Sequence, residues 1–71
     1  MATEVKAHIT GTVWKIEVKL GDAVDADQVL VILESMKMEM PIESPKAGKV
    51  AEVKVKEGQP VHEGDVVIVL D

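Results

Sequence analysis

Residues 11–34, GTVWKIEVKLGDAVDADQVLVILE, recur further along the chain as residues 48–71, GKVAEVKVKEGQPVHEGDVVIVLD. Gly11 falls on Gly48, Val13 on Val50, Val18 on Val55, Lys19 on Lys56 and Gly21 on Gly58. Val24 then meets Val61, Val29 meets Val66 and Leu33 meets Leu70, with conservative matches between, such as Ile16 with Val53 and Ile32 with Val69. A stretch used twice is a fold-level signal. Either copy alone would leave an apolar face in water. Two copies can bury it against each other, as two similar sheets related by a pseudo-two-fold axis and packed as a sandwich.

Inside each copy the apolar residues alternate. Trp14, Ile16 and Val18 share one parity, with Lys15, Glu17 and Lys19 on the other; Ala51, Val53 and Val55 alternate likewise with Glu52, Lys54 and Lys56. Period two with β-branched residues predicts half-buried strands, and it predicts Trp14 in the core. The continuous runs Val29–Leu33 and Val66–Leu70 predict well-buried strands. Turn residues bound them, at Asp25-Ala26-Asp27-Gln28 and at Glu63-Gly64-Asp65. Further turns are expected at Gly11, Gly21-Asp22, Gly48 and Gly58-Gln59-Pro60. No stretch of helical length has a 3.6-residue period, so the fold class is all-β without a substantial helix.

The chain has 71 residues, which makes residues 1–71 a single domain. A chain this short buries only about 60% of the surface it exposes when unfolded, so its core is thin and an enclosed catalytic cavity is not expected. It has no cysteine, hence no disulfide or thiolate metal site, which suits a reducing cytoplasm. The start, Met1-Ala2-Thr3-Glu4-Val5-Lys6, lacks the basic and apolar regions of a signal peptide, and every apolar run falls far short of the ~20 residues that span a bilayer. The net charge is −5, all eight basic residues are lysine, and Trp14 is the only aromatic. Without arginine clusters or stacking aromatics, nucleic-acid binding is not expected. A cytoplasmic monomer is.

Between the copies lies Glu34-Ser35-Met36-Lys37-Met38-Glu39. The buried run through Leu33 and a strand over Glu39 to Glu43 make this segment a hairpin. The repeat places it where the second copy has Asp71, so Lys37 should protrude from the pole opposite the termini. Two methionines around a lysine are unusual at a hairpin tip, where Gly, Asn, Asp or Ser are normal. In an arbitrary sequence such methionines would be gap fillers beside a solvated charge. Here the lysine is the one that sits at the junction of the repeat, which marks Lys37 as the candidate working residue.

The same six residues resemble the signature of the biotinyl/lipoyl attachment domains. The resemblance runs over nearly the whole chain, through Gly11-Thr12-Val13, Lys19-Leu20-Gly21-Asp22-Ala23-Val24, Glu57-Gly58 and Glu63-Gly64-Asp65. It implies a flattened barrel-sandwich of two four-stranded antiparallel sheets, with the modified lysine on a tight hairpin between the halves. Methionine on both sides of that lysine is similar to the biotin acceptors; lipoyl acceptors usually carry Asp before it. Lys37 takes the acceptor position, and Met36 and Met38 the flanking ones. Ser35 stands where Ala is common, and Ile9-Thr10 where carboxylase domains often have Met-Pro. The chain is closer to the free-standing biotin/lipoyl attachment proteins, and the gapless repeat leaves no room for the inserted thumb of some bacterial carriers.

The resemblance further implies that the domain catalyses nothing. A biotin protein ligase would activate biotin as an adenylate for attack by the Lys37 amine, and would have to supply the deprotonation. The arm would then serve a biotin carboxylase and a carboxyltransferase, tethering replacing a free encounter. Glu34, Ser35 and Glu39 would contribute to ligase recognition. Two alternatives stay open: a lipoyl carrier modified at the same lysine, and an unmodified interaction module. Elsewhere, His8 and His62 lack metal-ligand spacing, so no metal is expected and His62 reads as an exposed loop residue. Glu34 and Glu39 bracket the hairpin, but a thin core offers no cleft for a glycosidase-type carboxylate pair.

Overall fold

The computed structural model describes residues 2–71. Eight strands follow one another: β1 (Thr3–Lys6), β2 (Gly11–Ile16), β3 (Ala23–Val24), β4 (Val29–Ser35), β5 (Met38–Glu43), β6 (Gly48–Val53), β7 (Pro60–Val61) and β8 (Val66–Leu70). They form two four-stranded sheets, with strand orders β1-β8-β6-β3 and β5-β4-β2-β7, and every pairing is antiparallel. No described residue is helical. The molecule measures 33 × 17 × 17 Å along its principal axes.

The duplication is larger than the sequence comparison suggests. The copies do not begin at Gly11 and Gly48: β5 is the counterpart of β1. Val5 and Ile42 are both buried in equivalent places, as are Ala7 and Ser44. The backbone bonds repeat too. The Ala7 N–H donates to the Asp65 carbonyl and Gly64 N–H to that of Ala7, both at 2.8 Å. Ser44 and Asp27 repeat this with the carbonyls of Gln28 and Ser44, again at 2.8 Å. Strand β1 falls outside the visible repeat because its outward residues differ freely in solvent, and only its inward positions keep a character.

The core is accordingly a set of pairs. Val13 and Val50, Val18 and Val55, Val24 and Val61, Leu30 and Val67, Val31 and Ile68, and Leu33 and Leu70 are all buried. Among the described residues Ser44 is the one buried polar side chain, and its hydroxyl donates to the Lys46 carbonyl at 2.6 Å. That bond offsets the cost of removing the hydroxyl from water.

The turns repeat as well. The Asp22 carboxylate accepts from the Lys19 N–H at 2.9 Å, and the Gln59 amide oxygen from Lys56 N–H at 3.1 Å. In the second turn of each copy, Gln28 accepts from the Asp25 N–H at 3.0 Å and Asp65 from His62 N–H at 2.8 Å. Each short side chain does for its turn what a backbone carbonyl would do, which is why these residue types punctuate the sequence. His62 is the exposed loop residue the sequence suggests.

Two expectations need correction. Gly11 and Gly48 are not turn residues; they open strands β2 and β6. A Cβ on Gly11 would lie 2.7 Å from the Glu34 carbonyl oxygen, and one on Gly48 would lie 3.1 Å from that of Asp71. Glycine is there for close backbone approach. Trp14, in turn, is not in the core but 48% exposed. A β-bulge skips it, since Val13 faces Leu33 and the next pair is Lys15 with Ile32. The bulge shifts the alternation, so Val13 points in, Trp14 points out, and the inward phase resumes further along at Val18. Strand β6 has the same irregularity at Ala51.

Candidate functional site

Strands β4 and β5 pair from Val29–Glu43 up to Ser35–Met38, leaving Met36 and Lys37 as a two-residue loop. Both loop residues are left-handed, with φ of 52° at Met36 and 64° at Lys37. Two positive φ values in a two-residue hairpin define a type I′ turn, whose twist matches that of the flanking strands. Such a turn favours Asn-Gly. Residues with a Cβ pay about 1–2 kcal/mol each for the left-handed region. The long β4–β5 ladder holds the loop in this shape against its own preference. Strain of that kind concentrates at working sites.

Met36 is 91% exposed and Met38 61%. Lys37 is exposed as well and makes no ion pair among the described residues. The sequence reading places these three together at a tip, and the structure does the same. Glu34 and Glu39 are direct cross-strand partners, both exposed. Like charges in that position are unfavourable, so the hairpin carries a second local cost and presents a small acidic rim below the amine. Ser35 is half-buried beside Gly11, with its Cβ 3.4 Å from where a Gly11 Cβ would be. It has less surface to offer a partner than the other residues of the motif.

What sequence reasoning missed is the support beneath the loop. The end of β4 is braced by β2, through Thr12–Glu34 and Val13–Leu33, and Gly11 lets the two backbones meet. The signal was the pairing of Gly11 with Gly48 in the repeat, two glycines at strand starts. Among the described residues no cluster of His, Cys, Asp or Glu gathers as metal ligands. An open depression of about 400 Å³ lies between β1 and β5, lined by residues such as Glu4, Lys6, His8 and Glu43. It touches neither Lys37 nor its neighbours.

The turn can be tested on its own. Met36→Asn puts a residue that tolerates the left-handed region where methionine is strained. The melting temperature should rise by roughly 2–8 °C, for a gain of about 0.5–1 kcal/mol. No rise in a calorimetric scan would show that the loop is not strained.

The family model Biotin_lipoyl, described as "Biotin-requiring enzyme", matches residues 1–70. The chain belongs to the biotin/lipoyl attachment family. Its relatives include the biotin/lipoyl attachment protein of Bacillus subtilis (strain 168), 50% identical over 66 residues, covering 93% of this chain and 90% of that one. The biotinylated protein TB7.3 homolog of Mycobacterium leprae (strain TN) is 41% identical over 70 residues and 99% of both chains. A dihydrolipoyllysine-residue acetyltransferase component of the pyruvate dehydrogenase complex, from Azotobacter vinelandii, is 48% identical over 61 residues, 86% of this chain and 10% of its own length. Among solved structures, the Kluyveromyces lactis urea carboxylase superposes with a TM-score of 0.94 at 37% identity, over all of this chain and 6% of that enzyme. The two-sheet sandwich inferred from the repeat is therefore a fold this family also uses as a module within larger proteins.

Proposed function

We propose that this biotin/lipoyl attachment domain is a biotin carrier that catalyses nothing itself. Lys37 is the acceptor: deprotonated to the neutral amine, it attacks the acyl carbon of biotinyl-adenylate made by the ligase, the bond to AMP breaks, and the nitrogen gives up a second proton as the uncharged amide forms. The observation that carries this is an exposed lysine at the apex of a strained type I′ turn, between two exposed methionines. Attached biotin supplies the capacity to carry a carboxyl group. The protein supplies the position, the reach and freedom from steric obstruction. A biotin protein ligase would recognise Met36 and Met38, with Glu34 and Glu39 as its charged contacts and Ser35 as a minor one. A biotin carboxylase and a carboxyltransferase would use the arm, on a cytoplasmic, monomeric carrier.

Lipoate on the same lysine is the second reading, favoured by the dihydrolipoyllysine-bearing relative. Intact mass of the protein from its own cells separates the readings. A biotinyl increment is expected. A lipoyl increment would replace biotin by lipoate, and an unmodified mass would leave an interaction module.

The flanking methionines give a second test. Met36→Asp combined with Met38→Ala moves the tip toward the lipoyl pattern. Biotinylation rate should fall, acceptance by a lipoyl ligase should rise or hold, and the melting temperature should not fall, since a charge at an exposed tip stays solvated and Asp tolerates the left-handed region as Asn does. Methionine suits the reading proposed here because a flexible, polarizable side chain fits an apolar groove of a partner. An undiminished biotinylation rate in the folded double variant would remove the methionines from recognition.

A further inference from the structure

The bulge in β2 turns the chain's only aromatic side chain outward, beside the strand that leads to the hairpin. Trp14 lies between the pairs Val13–Leu33 and Lys15–Ile32. Next to it on the same outer face come Ile32, half-buried on β4, and Pro41, exposed on β5 and paired with Ile32. The strip has definite ends. Lys15 borders it on one side, and Thr12, Glu34 and Glu39 on the side nearer the tip. It is an apolar footprint a few side chains wide, the size of a small ring rather than of a protein interface. Its distance from the tip is fixed by the register. Ser35 pairs with Met38, so Met36 and Lys37 share one level, three residues or ~10 Å beyond Leu33 along the strand, and Trp14 lies one strand spacing of ~5 Å to the side of β4.

We propose that Trp14 is the resting platform for the sulfur-containing ring that Lys37 carries. This rests on Lys37 being the attachment residue. From the lysine Cα, through its side chain and a five-carbon acyl arm, there are about ten bonds; at backbone-like spacing they reach ~12 Å. The arm therefore spans the distance, and the ring at its end falls over the indole. Biotin and lipoate both end in a saturated sulfur ring, and sulfur packs favourably against aromatic rings, at the edge as well as the face. Ile32 and Pro41 extend the apolar contact, and tethering holds the ring at high local concentration near the platform. The carrier thus has a docked arm, released when a partner site offers a better contact.

The chain has no cysteine, one tryptophan and no tyrosine. Lys37→Cys therefore introduces a single thiol, and fluorescence reports Trp14 alone. The thiolate displaces iodide from an iodoacetyl derivative of biotin, from one of lipoic acid, or from iodoacetamide as a ringless control. This route needs no ligase, so a failure of enzymatic labelling, which would tell against the acceptor role, is a separate result. With a ring attached, emission should shift to shorter wavelength, and the acrylamide quenching constant should fall about twofold relative to the control. Shielding by both rings supports a platform for the shared sulfur chemistry; shielding by the biotin ring alone supports one for biotin. Equal spectra and equal quenching in ring-bearing and ringless forms overturn the proposal, as does the same shift in the control.

Discussion

Lys37→Arg should abolish labelling by a biotin ligase while leaving the fold as it is. Arginine keeps the charge and the solvated stem at the tip, but its guanidinium has no nucleophilic amine at neutral pH. The chain has eight lysines, so loss of labelling is not assured by chemistry alone. It follows from geometry. Lys15 and Lys54 pair with Glu17 at 3.5 Å and with Glu52 at 2.7 Å, and both lie on strand faces or their edges. Lys6, Lys19, Lys46, Lys49 and Lys56 likewise lie within or beside strands and turns. Only Lys37 stands at the apex of a hairpin, with both neighbours exposed. Intact mass after incubation with ligase, ATP and biotin should show a full increment on the wild type and none on the variant. A residual increment of comparable rate would mean that a second lysine serves.

Gly11→Ala should be the most damaging single methyl group that can be added near the site. The new Cβ would meet the Glu34 carbonyl oxygen at 2.7 Å, and that atom belongs to the backbone of β4. One strand must move. Overpacking of this kind costs roughly 1–3 kcal/mol, set against a total stability of roughly 4–10 kcal/mol for a chain of this length. The melting temperature should fall by roughly 5–20 °C. Gly48→Ala is the internal control, because the repeat provides the same position twice. There the oxygen is that of Asp71, 3.1 Å away and beyond the end of β8. A few tenths of an ångström relieve the contact, and the stiffer unfolded chain offsets part of the cost, so the loss should stay under about 1 kcal/mol. The two variants should also part in function. Gly11→Ala displaces the base of the hairpin and should slow ligation, whereas Gly48→Ala should not. Equal melting temperatures for the two would show that β2 and β4 are not held by this approach.

Much of this architecture was legible because the chain states it twice. The pairs Val13–Val50 and Leu33–Leu70 locate the core without any structural knowledge, and the break between the copies locates the hairpin. Trp14 was misread because alternation assumes an unbroken pleat, and a bulge resets the phase. The sequence did hold a warning. The repeat partner of Trp14 is Ala51, and a close-packed symmetric core does not exchange an indole for a methyl group. Strand β1 escaped the repeat because only the inward position Val5 and the residue just after the strand, Ala7, retain the character of Ile42 and Ser44. At the site, the residue types at the tip were readable, and so was their oddity in a turn. The left-handed backbone that makes them costly was not, because it is set by the β4–β5 ladder and the β2 brace, contacts remote in sequence.

Each sheet takes two strands from each half of the chain, β1 and β3 with β6 and β8, and β2 and β4 with β5 and β7. The halves interlock rather than sit side by side. No sheet can be finished until both halves have been synthesised, and there is no smaller unit for the chain to fold into on the way. The ordering entropy falls due before most of the long-range pairs that compensate it can form. Folding should therefore be a single slow event, in the milliseconds to seconds typical of all-β chains. A chain cleaved in the 36–37 loop should yield two fragments that are each unstructured and that regain the fold only when mixed.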